Sequence, residues 1–138
     1  MQQTKRVPLW TNSINAIVPK FAYAGTHVVA DFWNGKIIEN KKELEQLLQG
    51  AAKAANSKPL QLSIYKFKPQ GITGVILLAE SHIAVHTWPE IGYIAIDIFT
   101  CGKAAQPKKA LKFFEDYLKP KKMEVNEIKR GMVKESAL

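Results

Sequence analysis

From Gly74 to Gly102 the chain reads GVILLAESHIAVHTWPEIGYIAIDIFTCG, and two hydrophobic patterns meet inside it. Val75 to Ala79 is an unbroken apolar run too short for a helix, which predicts a strand buried on both faces. From His82 the pattern changes to alternation. Ile83, Val85 and Thr87 fall on one side of a strand, and His82, Ala84, His86 and Trp88 on the other. Pro89-Glu90-Ile91-Gly92 carries turn chemistry, and Tyr93 to Phe99 alternates again with Ile94, Ile96 and Ile98 on one face. The stretch therefore predicts two strands leading into a hairpin. It also gathers the single cysteine, two of the three histidines and the run Glu80-Ser81-His82. Reactive polar side chains inside a well-formed sheet are a local inconsistency of the kind expected at functional sites.

The flanking patterns supply the rest of a domain. Met1 to Tyr23, broken by Pro8 and Pro19, shows no period and predicts an arm over residues 1–24. Gly25 to Trp33 is a mostly apolar strand ended by Asn34-Gly35. Asn40 followed by Glu43 predicts a helix start, and Leu44, Leu47, Leu48, Ala51 and Ala55 form one apolar stripe after it. Leu60 to Phe67 alternates, with Leu60, Leu62 and Ile64 opposite Gln61, Ser63 and Tyr65, until Lys68-Pro69-Gln70-Gly71 breaks it. Beyond the hairpin, Pro107 opens a second helix whose stripe is Ala110, Leu111, Phe114 and Leu118, and Pro120 stops it. Met123, Val125 and Ile128 predict a last strand, and residues 132–138 a loose tail. Strands outnumber helices, hairpins are short, and each helix has a single stripe. The expectation is an α+β domain over residues 25–131: a two-layer α/β sandwich with both helices on one face of a mainly antiparallel sheet.

Composition narrows the function classes. No apolar run approaches the ~20 residues of a membrane span, and the first residues lack the apolar core of a signal peptide, so a cytoplasmic location is expected. A lone cysteine makes Cys101 a free thiol. The net charge of +8 invites a nucleic-acid reading, yet only Arg6 and Arg130 are arginine and the lysines scatter along the chain. Phosphate and base recognition favours arginine, and no interleaving of basic and aromatic residues appears. A solvated lysine surface, with no nucleic-acid or membrane partner, is the better reading.

Three chemistries compete on the residues alone. His82 and His86, four apart on one strand face, could ligate a metal with His27, Cys101 or a carboxylate as third ligand, but no recognisable metal spacing is present. Cys101 could be a nucleophile with a histidine base, against the commoner fate of a buried inert thiol. Trp88, Phe67 and Phe99 could form an aromatic cage, although aromatics at strand spacing are usually core.

The run LAESHIAVHTWPE followed by IDIFTCG resembles the prokaryotic S-adenosylmethionine decarboxylases, self-processing pyruvoyl enzymes of polyamine synthesis. The resemblance extends from about Gly25 to Gly131 and includes Lys66-Phe67-Lys68-Pro69-Gln70-Gly71-Ile72-Thr73-Gly74. It does not reach the first two dozen residues. It implies no metal. It implies cleavage between Glu80 and Ser81, with Ser81 becoming a pyruvoyl group that binds the substrate amine as a Schiff base. The product would be decarboxylated S-adenosylmethionine, the aminopropyl donor for spermidine. It further implies His86 as proton acceptor in processing, Cys101 as proton donor in turnover, Phe67 as the adenine-stacking aromatic and Glu90 as acceptor for the ribose hydroxyls. Thr73 stands where the family commonly has a serine that assists cleavage. His82 reads as structural, and Trp88 as core with a ligand contact at most. The rival readings are an arginine or ornithine decarboxylase with the same chemistry, and a non-catalytic regulatory or nucleic-acid-binding subunit.

Strand geometry adds a constraint to those roles. With the turn at Pro89 to Gly92, antiparallel partners sum to about 181, which sets Cys101 across from Glu80-Ser81. His86 lies five extended residues from Ser81, about 16 Å at ~3.3 Å per residue, and on the opposite strand face. Proton transfer needs contact within ~3 Å or one bridging water. Unless the strand folds back sharply near Ser81, one chain cannot complete the site. The expectation is a homodimer with two shared sites, each taking Ser81 and Cys101 from one chain and His86, Phe67, Thr73 and Glu90 from the other.

Overall fold

In the computed structural model, which describes residues 20–138, six antiparallel strands form one sheet in the order β2-β3-β4-β5-β1-β6. In chain order the elements are β1 (Phe21–Trp33), α1 (Lys41–Ala54), β2 (Lys58–Lys66), β3 (Ile72–Ala79), β4 (Ser81–Trp88), β5 (Tyr93–Cys101), α2 (Pro107–Leu118) and β6 (Lys122–Lys134). This is the two-layer α+β sandwich that the patterns predict. No helix among the described residues is long and apolar enough to cross a membrane.

The helices start and stop for local reasons. Asn40 is extended, and its Oδ1 accepts a 2.8 Å hydrogen bond from the Glu43 N–H, so α1 begins where its capping pair stands. Its stripe of Leu44, Leu47, Leu48, Ala51 and Ala55 is buried against the sheet. Pro107 occupies the first turn of α2, where its missing N–H is harmless, and Lys119 ends the helix in the left-handed region. Phe114, Ala110 and Leu118 are buried from this side, with Leu111 packed at the edge of the core. From the sheet, Val28, Phe32, Ile76, Ile83, Val85, Ile96 and Ile98 close the same cluster.

Four expectations change. β3 was expected to be buried on both faces, but only Ile72, Gly74, Ile76 and Leu78 are, while Leu77 is 44% exposed. Both helices lie on one side, so among the described residues no helix covers the other face of the sheet. β1 starts at Phe21, ahead of Gly25, because Phe21 to Tyr23 pair with Met132 to Lys134. That pairing also draws the start of the supposedly loose tail into β6; residues 1–19 of the expected arm lie outside the described residues. In β2 the register shifts between Pro59 and Gln61, which leaves Leu60 61% exposed instead of inward with Leu62 and Ile64.

Gly74 is where α1 comes closest to the sheet: a Cβ there would stand 2.7 Å from Leu44 Cδ2 and 2.9 Å from Leu48 Cδ1. Leu44→Ala should cost about 2–5 kcal/mol by opening a cavity, and Gly74→Ala about 1–3 kcal/mol by overpacking. The double variant should lose clearly less than the sum, because each change relieves the other. Urea unfolding of the four proteins measures this, and strict additivity would show that the two residues do not compete for space.

Candidate active site

Alternation along β4 and β5 sends His82, Ala84, His86 and Trp88, and Tyr93, Ala95, Asp97 and Phe99, to the face without helices. Among the described residues neither helix packs there, and its aromatic side chains meet solvent: Trp88 is 40% and Tyr65 64% exposed. The candidate groups sit at the two ends of β4: His86 belongs to this face, whereas Ser81 alternates with Ile83 and Val85 and belongs to the other.

At one end, β3 turns into β4 through a two-residue link. Leu78 pairs with Ser81, which leaves Ala79-Glu80 as the turn and Glu80 exposed. The β4–β5 register runs from His82 opposite Phe99 to Trp88 opposite Tyr93, so partners sum to 181 as the turn position requires. Cys101 accordingly arrives beside the link, with Sγ 3.8 Å from Ser81 Oγ. Both side chains are half-buried, and the thiol is free.

At the other end, Thr73 pairs with His86 across β3 and β4, and Thr73 Oγ1 stands 3.0 Å from His86 Nδ1. A hydroxyl at that nitrogen fixes the orientation of the ring. Phe67 follows β2 in a loop closed by its own N–H donating to the Gly71 carbonyl at 2.8 Å. Gly71 has φ +96°, which a side chain would resist. The Phe67 ring lies edge-on to Tyr65, 4.9 Å between centroids, and is 47% exposed. Glu90 sits exposed in the 3-10 turn of the β4–β5 hairpin.

These ends do not meet within one chain. β4 is continuous from Ser81 to Trp88, so the separation of about 16 Å between Ser81 and His86 persists. Ser81 and Cys101 are brought together; Thr73 and His86 are brought together; the two pairs are not.

Three other expectations are corrected. His82 and His86 share a face but are four extended residues apart, about 13 Å, too far for one metal ion. His82 instead meets Asp97, with Nε2 3.0 Å from Oδ1, and His27, whose Nε2 is 3.5 Å from Oδ2 of the same carboxylate. The cage of Trp88, Phe67 and Phe99 does not form. Phe99 packs between His27 and His82, at the far end of the strand pair from Trp88. Trp88 is also not core, since it lies on the open face in a stack with Tyr93 and Trp33 at 5.1 and 4.5 Å between neighbouring rings.

Sequence reasoning missed Asp97 and Asp31. Asp97 was within reach, because the sum of 181 places it diagonal to His82 on the same face. His27 and Asp31 required the pairing of β1 with β5, which nothing local announces.

The fold and the sequence as a whole have counterparts among known proteins. Residues 26–131 match the family model described as S-adenosylmethionine decarboxylase. The chain belongs to this family. An S-adenosylmethionine decarboxylase proenzyme of Methanococcus aeolicus is 42% identical over 115 residues, covering 82% of this chain and 98% of the relative. A proenzyme of the same description from Acetivibrio thermocellus is 37% identical over 113 residues, 80% of this chain and 91% of its own length. The crystal structure of the adenosylmethionine decarboxylase from Aquifex aeolicus superposes with a TM-score of 0.77 at 37% identity, covering 82% of this chain and 95% of that one.

The aromatic stack carries one titratable group. Burial first, and then the hydrogen bond to and charge of Asp31, push the Tyr93 phenol up to about 12. The unfolded chain releases this proton near pH 10. Its contribution to stability is therefore complete below pH 10 and is lost as pH rises from 10 to 12. Ultraviolet titration should show one of the four tyrosines ionising about two pH units late, and Asp31→Asn should bring it back toward the others. Four tyrosines titrating together would contradict the burial of this ring.

Proposed function

We propose that this chain is a self-processing decarboxylase of S-adenosylmethionine whose pyruvoyl group is made from Ser81, and that its sites are shared between two chains. The observation that carries the reading is the 3.8 Å approach of the Cys101 thiol to the Ser81 hydroxyl beside an exposed two-residue turn. The attack joins neighbouring residues, so the Ser81 hydroxyl has only to reach the carbonyl carbon of the residue before it, in an exposed turn. The named relatives favour S-adenosylmethionine over arginine or ornithine as substrate.

Processing follows from the residues. Ser81 Oγ attacks the Glu80 carbonyl carbon, and the C–N bond gives way to an ester while the amine of residue 81 is released. His86 accepts the α-proton of residue 81, and the Glu80 carboxylate leaves with the electrons of the ester C–O bond. Residue 81 is then dehydroalanine, and water converts it to the ketone with loss of ammonia. Thr73, at 3.0 Å from His86 Nδ1, orients that ring.

In turnover the pyruvoyl ketone supplies an electron sink for decarboxylation. The chain's own groups bind, orient and move the proton. Phe67 offers an exposed ring face for adenine, and the Glu90 carboxylate accepts from the ribose hydroxyls. Cys101 Sγ holds the proton that returns to the α-carbon. The sheet face without helices supports the dimer. When two chains meet across it in antiparallel sense, the Ser81–Cys101 end of one faces the Thr73–His86–Phe67 end of the other.

Three experiments test this. Denaturing mass spectrometry of aged protein should show fragments divided after Glu80 with a blocked second fragment, and Ser81→Ala should stay whole. Incubation with labelled S-adenosylmethionine, arginine and ornithine in parallel should release carbon dioxide from the first. Cys101→Ala should still mature and lose about 10²–10⁴-fold in turnover; normal turnover would return the thiol to an inert role. An uncut but active protein would refute the mechanism.

The shared site is tested by complementation. Ser81→Ala and His86→Ala chains, mixed unfolded and refolded together, should regain cleavage in one site of each mixed dimer. Silence in verified mixed dimers would refute it.

A further inference from the structure

The open face holds a second cluster that the proposed reaction does not use. β4, β5 and β1 are neighbours, and Phe99 of β5 is directly opposite both His82 of β4 and His27 of β1. Asp97, two residues earlier on the same face, reaches back between the two imidazoles. His82 Nε2 is 3.0 Å from Asp97 Oδ1, and His27 Nε2 is 3.5 Å from Asp97 Oδ2. All three ligand atoms lie within 4.8 Å of one another.

We propose that His27, His82 and Asp97 form a binding site for a divalent transition-metal ion of the zinc class. A tetrahedral site with bonds of about 2.0–2.1 Å has ligand atoms about 3.3–3.4 Å apart, and the two carboxylate-to-imidazole separations bracket that value. The donors stand on paired strands, so the backbone holds them in place before an ion arrives. Two imidazoles and one carboxylate suit zinc, cobalt or nickel, whereas calcium and magnesium take oxygen ligands. Three protein ligands leave the fourth position for water.

Two further observations point the same way. His27 Nε2 is buried and, despite its 3.5 Å approach to Asp97 Oδ2, makes no hydrogen bond. An ion supplies the missing partner. Asp97 has no lysine or arginine partner among the described residues, in a chain with 20 of them. Arg130, the one arginine among the described residues, places its guanidinium over the Phe99 ring at 4.9 Å from the centroid. Because His82 directly follows Ser81, an ion here would tie down the residue next to the cleavage point. The site itself does not depend on the decarboxylase reading.

The test is titration of chelator-treated full-length protein with cobalt(II), in wild type and in the uncut Ser81→Ala chain. One cobalt per chain should bind, with tetrahedral visible absorption, no thiolate charge-transfer band, and displacement by zinc. His27→Gln and Asp97→Asn should each weaken binding by at least about tenfold, while His86→Asn and Cys101→Ser leave it unchanged. X-ray absorption of the zinc-loaded wild type, which needs no variant to fold, should show nitrogen and oxygen neighbours and no sulfur. No uptake, a sulfur ligand, or unchanged affinity in either His27→Gln or Asp97→Asn would overturn the proposal. The cluster would then be a His82–Asp97 hydrogen bond with His27 beside it.

Discussion

Gly92 takes up φ +65° at the end of the 3-10 turn, and its N–H donates to the Pro89 carbonyl. That small closure sets the register of β4 against β5, and with it the position of each candidate group. Antiparallel partners follow from where a hairpin turns. Slipping β5 by one residue against β4 would turn its faces over, sending Asp97 and Cys101 to the helix side and Ile96 and Ile98 outward. A side chain at Gly92 would be strained by the φ and would also press on Asn34 Oδ1, from the adjoining end of β1. The turn is thereby locked to the neighbouring strand as well as to its own hairpin.

The same two-residue period makes the sheet two-sided. Inward positions supply the core with both helices. Outward positions collect histidines, Asp97, Asp31, Cys101 and a stack of three aromatic rings. A sheet with one covered face keeps its chemistry on the other, where strands are rigid enough to hold side chains at fixed spacing. Rigidity also has a consequence for reach. Groups on a flat strand cannot bend toward each other, so a site needing both ends of β4 calls for a second surface.

Much of this was legible in the sequence. Asn40 with Glu43 gave the start of α1, and Pro107 with Pro120 bracketed α2. The sum of 181 placed Cys101 beside Ser81 before any coordinates. The misreadings share a cause. Val75 to Ala79 and Trp88 are apolar, and apolarity was read as burial, although a sheet with helices on one side alone leaves such residues outside. Leu60 was lost to a register shift that leaves no mark in the alternation. The meeting of His27 with His82 depended on β1 entering next to β5, a long-range pairing that local patterns do not encode.

The strand order has one further consequence. A cut after Glu80 divides the elements into β1, α1, β2 and β3 on one piece and β4, β5, α2 and β6 on the other. In the sheet, however, β1 lies between β5 and β6, both from the second piece, and β4 lies between β3 and β5. The pieces are laced through each other. Neither can leave without a full-length strand being drawn from between two neighbours, against a continuous ladder on both of its edges. Severing the backbone at the β3–β4 link would therefore free two chain ends, at Glu80 and at residue 81, and leave the rest of the molecule mechanically joined.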